Sequence, residues 1–296
     1  MTNKEYIKAY TEYISFEKRL SKNTIKNYLK DIFKLEELNN QEPLNKIEID
    51  DIRKNISSLH SKGLNGKSLS RMLSSWRGFY EFLINRFNFI KNPIIGIKAP
   101  KSPKKLPQIL SVDQAVRLVD IKDESFLGVR DHAVLELFYS SGLRLSELTN
   151  LNENDINLSD ETITVIGKGN KTRILPIGDM AIKAIKKWLT LRLKFLDGSS
   201  NNSALFLSKL SKRLTPRAIQ YRLKFWAIKQ GVPENIHPHL LRHSFASHIL
   251  QSSHDLRAVQ ELLGHENIST TQIYTHLDHQ HLTEIYDKSH PRAKKK

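Results

Sequence analysis

The chain has 296 residues, 39% of them apolar and 26% charged, which suits two globular domains and excludes a disordered or collagen-like polymer. It carries 47 Lys and Arg against 31 Asp and Glu, a formal charge of +16, so a polyanion is the natural partner. Without cysteine it has no disulfide, no Cys-ligated zinc, no iron–sulfur cluster and no thiolate nucleophile; without an apolar run of about 18 residues it offers no membrane span. The start, Met1 to Tyr6, lacks the apolar stretch of a signal peptide, so a cytoplasmic location is the expectation.

Residues 1–97 hold 17 basic and 11 acidic side chains, and their apolar positions recur at helical spacing with no alternating stretch, which predicts an all-helical domain. Ser21 precedes a helix bearing Ile25, Leu29, Ile32 and Leu35. A later helix, ended by Asn92-Pro93, presents Leu69, Leu73, Trp76, Phe79, Tyr80 and Leu83 on one side, a spacing that favours core over a base-stacking platform. Its Arg71 and Arg77 read either as phosphate contacts or as solvated charges.

Residues 98–107 contain three prolines, the lysines Lys98, Lys101, Lys104 and Lys105, and nothing acidic. They read as an extended linker with a reach of about 33–36 Å at full stretch. A cationic strap between two basic domains suits a polyanion, while a solvated hinge is the plainer alternative.

Residues 108–296 mix helices with one hairpin. Ser111 and Gln114 have capping-box spacing, and an apolar helix runs from near Asp131 to Ser141. Glu161 to Ile166 alternates with β-branched residues, Gly167-Lys168-Gly169-Asn170 turns, and Thr172 to Pro176 returns, which predicts a β-hairpin. Helices follow at about 179–195, 215–229 and 240–251. Asp255 caps another that Gly264 stops, and Ser269 to Gln272 repeats the capping-box spacing before Tyr274. The fold class expected is mainly α with a small antiparallel β-sheet.

Three spots carry chemistry. Arg144 follows a glycine turn at a helix start with Glu147 three residues on, able to orient it, although a surface ion pair has the same spacing. Lys168 sits between two glycines at the hairpin tip, where most lysines only solubilise. His239 and Arg242 lie one helical turn apart and face the same way, a pair suited to a phosphate. Nine of the twelve histidines fall between His237 and His281, but His239, His243 and His248 lack the glutamate of a metalloprotease helix, so no metal is expected. Arginines, a lysine and histidines without a carboxylate cluster suit phosphoryl transfer by cations and hydrogen-bond donors. The nucleophile must then be a hydroxyl, and Tyr274 stands nine residues after His265.

The ordered set Arg144, Lys168, His239, Arg242, His265 and Tyr274 resembles the tyrosine recombinase (phage integrase) family across the second domain, and the helical first domain resembles that family's core-binding domain. Leu205 to Lys209, Val259 to His265 and His290-Pro291-Arg292-Ala293 are most similar to its bacterial XerC-type branch. The resemblance implies a site-specific DNA recombinase with a 3′-phosphotyrosyl intermediate on Tyr274 and no cofactor. His239 is then the base, Arg144 and Arg242 the clamp on the non-bridging oxygens, His265 a further donor, Lys168 the proton donor to the 5′ oxygen, and Glu147 the holder of Arg144. It also implies a double-stranded recombination site as partner, for which Arg71, Arg77 and the linker lysines are, on their charge, the candidate DNA contacts. A heterotetramer with an XerD-type recombinase, a C-terminal segment from about His279 reaching a neighbouring protomer, chromosome-dimer resolution at cell division and activation by a septal DNA translocase complete that picture. An XerD-like paralogue, a mobile-element integrase, a type IB topoisomerase and a non-catalytic DNA-binding protein are the alternatives.

Overall fold

The structure, a computed structural model, describes residues 1–101, 109–167, 171–196, 202–232, 235–264 and 276–293, with side chains from 282 onward in the last segment. The chain divides into two compact units, Met1–Leu106 and Pro107–Lys296.

The first unit is helical: α1 (Asn3–Glu12), a π-helical turn (Tyr13–Glu17), α2 (Lys22–Leu38), a 3-10 turn (Leu44–Lys46), α3 (Ile49–Ser61) and α4 (Gly66–Phe87). Ser21 caps α2 by accepting from the Thr24 N–H. The stripe on α4 is core: Leu69, Trp76, Phe79 and Leu83 are fully buried. The polar tips of its aromatics are satisfied, since Trp76 Nε1 donates to the Asp31 carbonyl at 2.7 Å and Tyr80 donates to the Leu44 carbonyl at 2.9 Å. α4 ends at Asn88 in the left-handed conformation (φ 57°), earlier than Asn92-Pro93 suggests. Asn92 instead folds the chain back, its side-chain amide donating to the Arg77 carbonyl at 3.1 Å, and Ile94 is buried. Ile97 and Ala99 pack on the same core, while Lys98 and Lys101 stay exposed.

The second unit comprises α5 (Val112–Val119), α6 (Phe126–Ser141), α7 (Leu145–Asn150), β1 (Ile156–Asn157), β2 (Thr162–Ile166), β3 (Thr172–Pro176), α8 (Asp179–Phe195), α9 (Pro216–Lys229), α10 (Pro238–Ser253), α11 (Leu256–Leu263) and α12 (His276–Ser289). The three strands form an antiparallel sheet in the order β1-β2-β3, with Val165 opposite Arg173 and Ile163 opposite Leu175. α6 is the central helix, buried on nearly every side and packed against α5, α8 and α10. Its buried charges are partnered: Asp131 accepts from Arg130, Arg222 and Trp226, and Glu136 accepts from Arg292.

α6 ends at Gly142, in the left-handed region at φ 55°, and a Cβ there would lie 2.2 Å from Phe245 Cδ1. Only glycine fits both the turn and the approach of α10, and that turn delivers Arg144 to the start of α7.

The C-terminal segment, expected to reach a neighbour, is folded onto its own unit. Leu282, Tyr286, His290 and Ala293 are buried, the Tyr286 and Ser140 hydroxyls lie 2.5 Å apart, and the Asp179 N–H donates to the Ala293 carbonyl at 2.8 Å. Apolar burial and these hydrogen bonds are available inside one chain, so the segment satisfies itself there. Among the described residues no helix is long and apolar enough to cross a membrane.

Candidate active site

Arg144 is the N-cap residue of α7, and its backbone N–H donates to Glu147 Oε2 at 2.8 Å. Its guanidinium donates from Nη1 to Glu147 Oε1 at 2.8 Å and from Nη2 to the Gly264 carbonyl at 3.1 Å. The side chain remains one-third exposed (34%), whereas that of Glu147 is 3% exposed. The pair is therefore no ordinary surface ion pair: its acid is buried and its base faces outward.

Glu147 has a second clasp that the motif reading overlooked. Arg173, on β3, donates from Nη1 to Oε1 at 2.9 Å and from Nη2 to Oε2 at 2.8 Å, a two-toothed pairing. Burial disfavours the Glu147 charge, but the hydrogen bonds from Arg173 and from the Arg144 N–H outweigh it and hold the carboxyl down at about 2. The signal for Arg173 lay in the hairpin's alternation. Arg173 shares parity with Leu175 and therefore sits on the strand's inner face, where a charge needs a partner.

Arg242 comes from α10 and is 9% exposed. It donates from Nη1 to the Gly142 carbonyl and from Nη2 to the Leu263 carbonyl at 2.6 Å. The two arginines, 98 positions apart in the sequence, thus converge on the consecutive carbonyls Leu263 and Gly264 at the C-terminal end of α11. That end carries partial negative charge, which offsets the repulsion between the guanidiniums. Burial first, then the neighbouring charges of Arg144 and Arg173, lower Arg242 to about 10 against the opposing pull of Glu147, so it stays protonated at neutral pH. Two cationic forks fixed side by side, with further N–H groups free of these bonds, can hold the non-bridging oxygens of a phosphodiester.

His239 lies in the first turn of α10, one turn before Arg242, and is exposed. His248, farther along, is not available to a ligand: its Nε2 donates to the Leu110 carbonyl at 2.8 Å and its Nδ1 accepts from the Tyr139 hydroxyl at 2.8 Å. The hairpin closes on a 2.7 Å bond from the Gly167 N–H to the Lys171 carbonyl, and a Cβ on Gly167 would lie 3.2 Å from Arg173 Nη1. Lys168, His265 and Tyr274, with Lys104 and Lys105, lie outside the described residues. In the first unit Arg71 pairs with the buried Asp31, and Arg77 donates to the Ile97 carbonyl at 3.3 Å. Both arginines are therefore engaged within the helical unit itself.

The phage integrase family model matches residues 108–281, and the model of the phage integrase N-terminal SAM-like domain matches residues 7–86. Tyrosine recombinase XerC of Alcanivorax borkumensis is 45% identical over 98% of this chain and 95% of its own length. Tyrosine recombinase XerC 1 of Ralstonia nicotianae is 47% identical over 98% and 94%. In fold, the chain is similar to the Tn1549 transposon integrase, solved in complex with transposon right end DNA, with a TM-score of 0.73 at 18% identity, over 96% of this chain and 99% of that one. The chain belongs to the phage integrase family of tyrosine recombinases, alongside proteins named tyrosine recombinase XerC.

Proposed function

We propose that this chain is a site-specific recombinase that cuts and rejoins double-stranded DNA through a 3′-phosphotyrosyl intermediate on Tyr274. The observation that carries this reading is the convergence of Arg144 and Arg242 on the Leu263 and Gly264 carbonyls, with His265 next in the chain. The Tyr274 oxygen attacks the scissile phosphorus, the bond to the 5′ oxygen breaks, and the phosphodiester's energy is kept in the new phosphotyrosyl bond. Rejoining by a 5′ hydroxyl therefore needs no ATP.

A phenol with an ordinary pKa of about 10 is protonated at neutral pH, so the attack needs an acceptor, and His239 takes that proton. Arg144 and Arg242 bind the non-bridging oxygens, where charge accumulates in the transition state, and His265 donates a further hydrogen bond. Lys168 protonates the departing 5′ oxygen, and its hairpin-tip position suits a group that enters and leaves the site. Residues 1–97 act as the core-binding domain, 98–107 as a linker whose Lys98, Lys101, Lys104 and Lys105 contact phosphates, and 108–296 as the catalytic domain. Arg71 and Arg77 reach DNA only with donors left over from their contacts to Asp31 and Ile97.

In this reading the chain is a cytoplasmic enzyme that resolves chromosome dimers at cell division in a heterotetramer with an XerD-type partner, activated by a septal DNA translocase; the similarity to proteins named tyrosine recombinase XerC supports its recombinase part. In that assembly the segment from about His279 contacts a neighbouring protomer. The test is incubation with suicide-nicked recombination-site DNA in excess EDTA. A covalent protein–DNA adduct is expected, because cationic side chains do the work that metal ions do elsewhere. Adduct formation only after magnesium or zinc is added would contradict the proposal.

A further inference from the structure

We infer that Arg173 is a positioning residue for strand cleavage, fixing Glu147 so that the Arg144 guanidinium meets the scissile phosphate in one orientation; the inference rests on the function proposed above. Each Glu147 oxygen is held twice. Oε1 accepts from Arg173 Nη1 at 2.9 Å and from Arg144 Nη1 at 2.8 Å, while Oε2 accepts from Arg173 Nη2 at 2.8 Å and from the Arg144 backbone N–H at 2.8 Å. A carboxylate anchored on both oxygens by a rigid fork cannot rotate about its last torsion, and Arg144 inherits that fixity. With Arg144 as its only partner, the carboxylate would turn with the side chain it is meant to hold.

Packing points the same way. Arg173 is 7% exposed, and its Nε–H meets no acceptor among the described residues. A side chain serving only to fill the inner face of β3 would avoid that desolvation penalty. The arginine is also in close contact with the neighbouring site backbone. A Cβ on Gly264, at φ 61°, would lie 3.2 Å from Arg173 Cδ, Nε and Nη1, and a Cβ on Gly167 would lie 3.2 Å from its Nη1. Gly264 supplies the carbonyl that accepts from Arg144 Nη2 and precedes His265, while Gly167 precedes Lys168. Arg173 therefore braces, from inside, the carboxylate that orients Arg144 and the two glycines that lead into the remaining site segments.

The test compares wild type, Arg173→Gln and Arg173→Lys in single-turnover adduct formation on suicide-nicked DNA, with duplex affinity and melting temperature measured alongside. Arg173→Gln is expected to slow adduct formation about 100-fold, the loss typical of a reacting group displaced by about 1 Å, while duplex affinity changes little. Arg173→Lys falls between, since an ammonium pairs with one carboxylate oxygen but cannot fork. The readout that separates positioning from mere stability is a double-mutant cycle. In a Glu147→Gln background, Arg173→Gln adds little further loss, because the carboxylate through which it acts is gone. Multiplicative losses in that cycle, an Arg173→Gln rate close to wild type, or full recovery of its rate at a temperature where it is completely folded would each overturn the inference. A wild-type chain that forms no adduct, or forms it on a residue other than Tyr274, would overturn the function reading itself and this inference with it.

Discussion

Lys168 is the proposed catalytic side chain that most resembles an ordinary surface charge, and its chemistry separates the two readings. A 5′ alkoxide is a poor leaving group without a proton, so Lys168→Ala is expected to slow cleavage of an ordinary phosphodiester strongly. A 5′-bridging phosphorothiolate leaves as a thiolate and needs little protonation, so the same variant should cut it at close to the wild-type rate. Arg144→Ala should show no such rescue, because its proposed contacts are to the non-bridging oxygens. Equal defects on both substrates would make Lys168 a positioning contact. At this scale sequence spacing was a good guide to Arg144, Glu147 and Arg242, which the fold brings together, because turn glycines and helical periods are local. The hairpin's alternation put Arg173 on the inner face but did not name its partner Glu147, 26 residues away, and spacing was silent on the occupation of Arg71 by Asp31, 40 residues away. Such pairings are decided by tertiary packing.

Among the elements, those with strong local chemistry were legible from sequence. Ser21, Ser111 and Asp255 do cap α2, α5 and α11, and the expected hairpin forms as β2 and β3. β1 was not legible, since two residues have no period of their own and Ile156–Asn157 are extended only because β2 pairs with them. Nor was the docking of α12, which depends on a buried polar network. There His290 Nε2 donates to the Tyr139 carbonyl at 3.2 Å while its Nδ1 accepts from the Arg292 N–H at 3.1 Å, an arrangement that requires the neutral ring. Burial pushes His290 down to about 3, against the smaller upward pull of the Tyr139 carbonyl.

The ordinary histidine value in the unfolded chain is about 6.5, so the folded value is the depressed one. The stability His290 contributes is then fully present above about pH 6.5 and is lost as pH falls toward about 3. Between pH 6.5 and 5 this amounts to ~2 kcal/mol, or about 4–8 °C in melting temperature for a unit of this size. His290→Gln keeps one donor and one acceptor without titrating, so its melting temperature should fall less over that interval. His132 and His248, both also lowered by burial, are present in either protein and drop out of the comparison. Identical pH profiles for the two proteins would show that the C-terminal segment is not held by a neutral His290.

The whole molecule consists of a helical unit and an α+β unit with one small antiparallel sheet. The first is built around α4, whose aromatic side is spent on its own core. The second is built around α6, whose Gly142 turn, together with α10 and the end of α11, brings two arginines to one place. The net charge is +6 over residues 1–97, +4 over 98–107 and +6 over 108–296, as expected of a protein that engages a polyanion along its length.

Whether Tyr274 is the nucleophile is decided by adduct formation with Tyr274→Phe on suicide-nicked recombination-site DNA, with duplex binding measured in parallel. Only the hydroxyl is removed, so binding should stay near wild type while the covalent adduct disappears. An adduct retained by Tyr274→Phe would mean that another residue is the nucleophile.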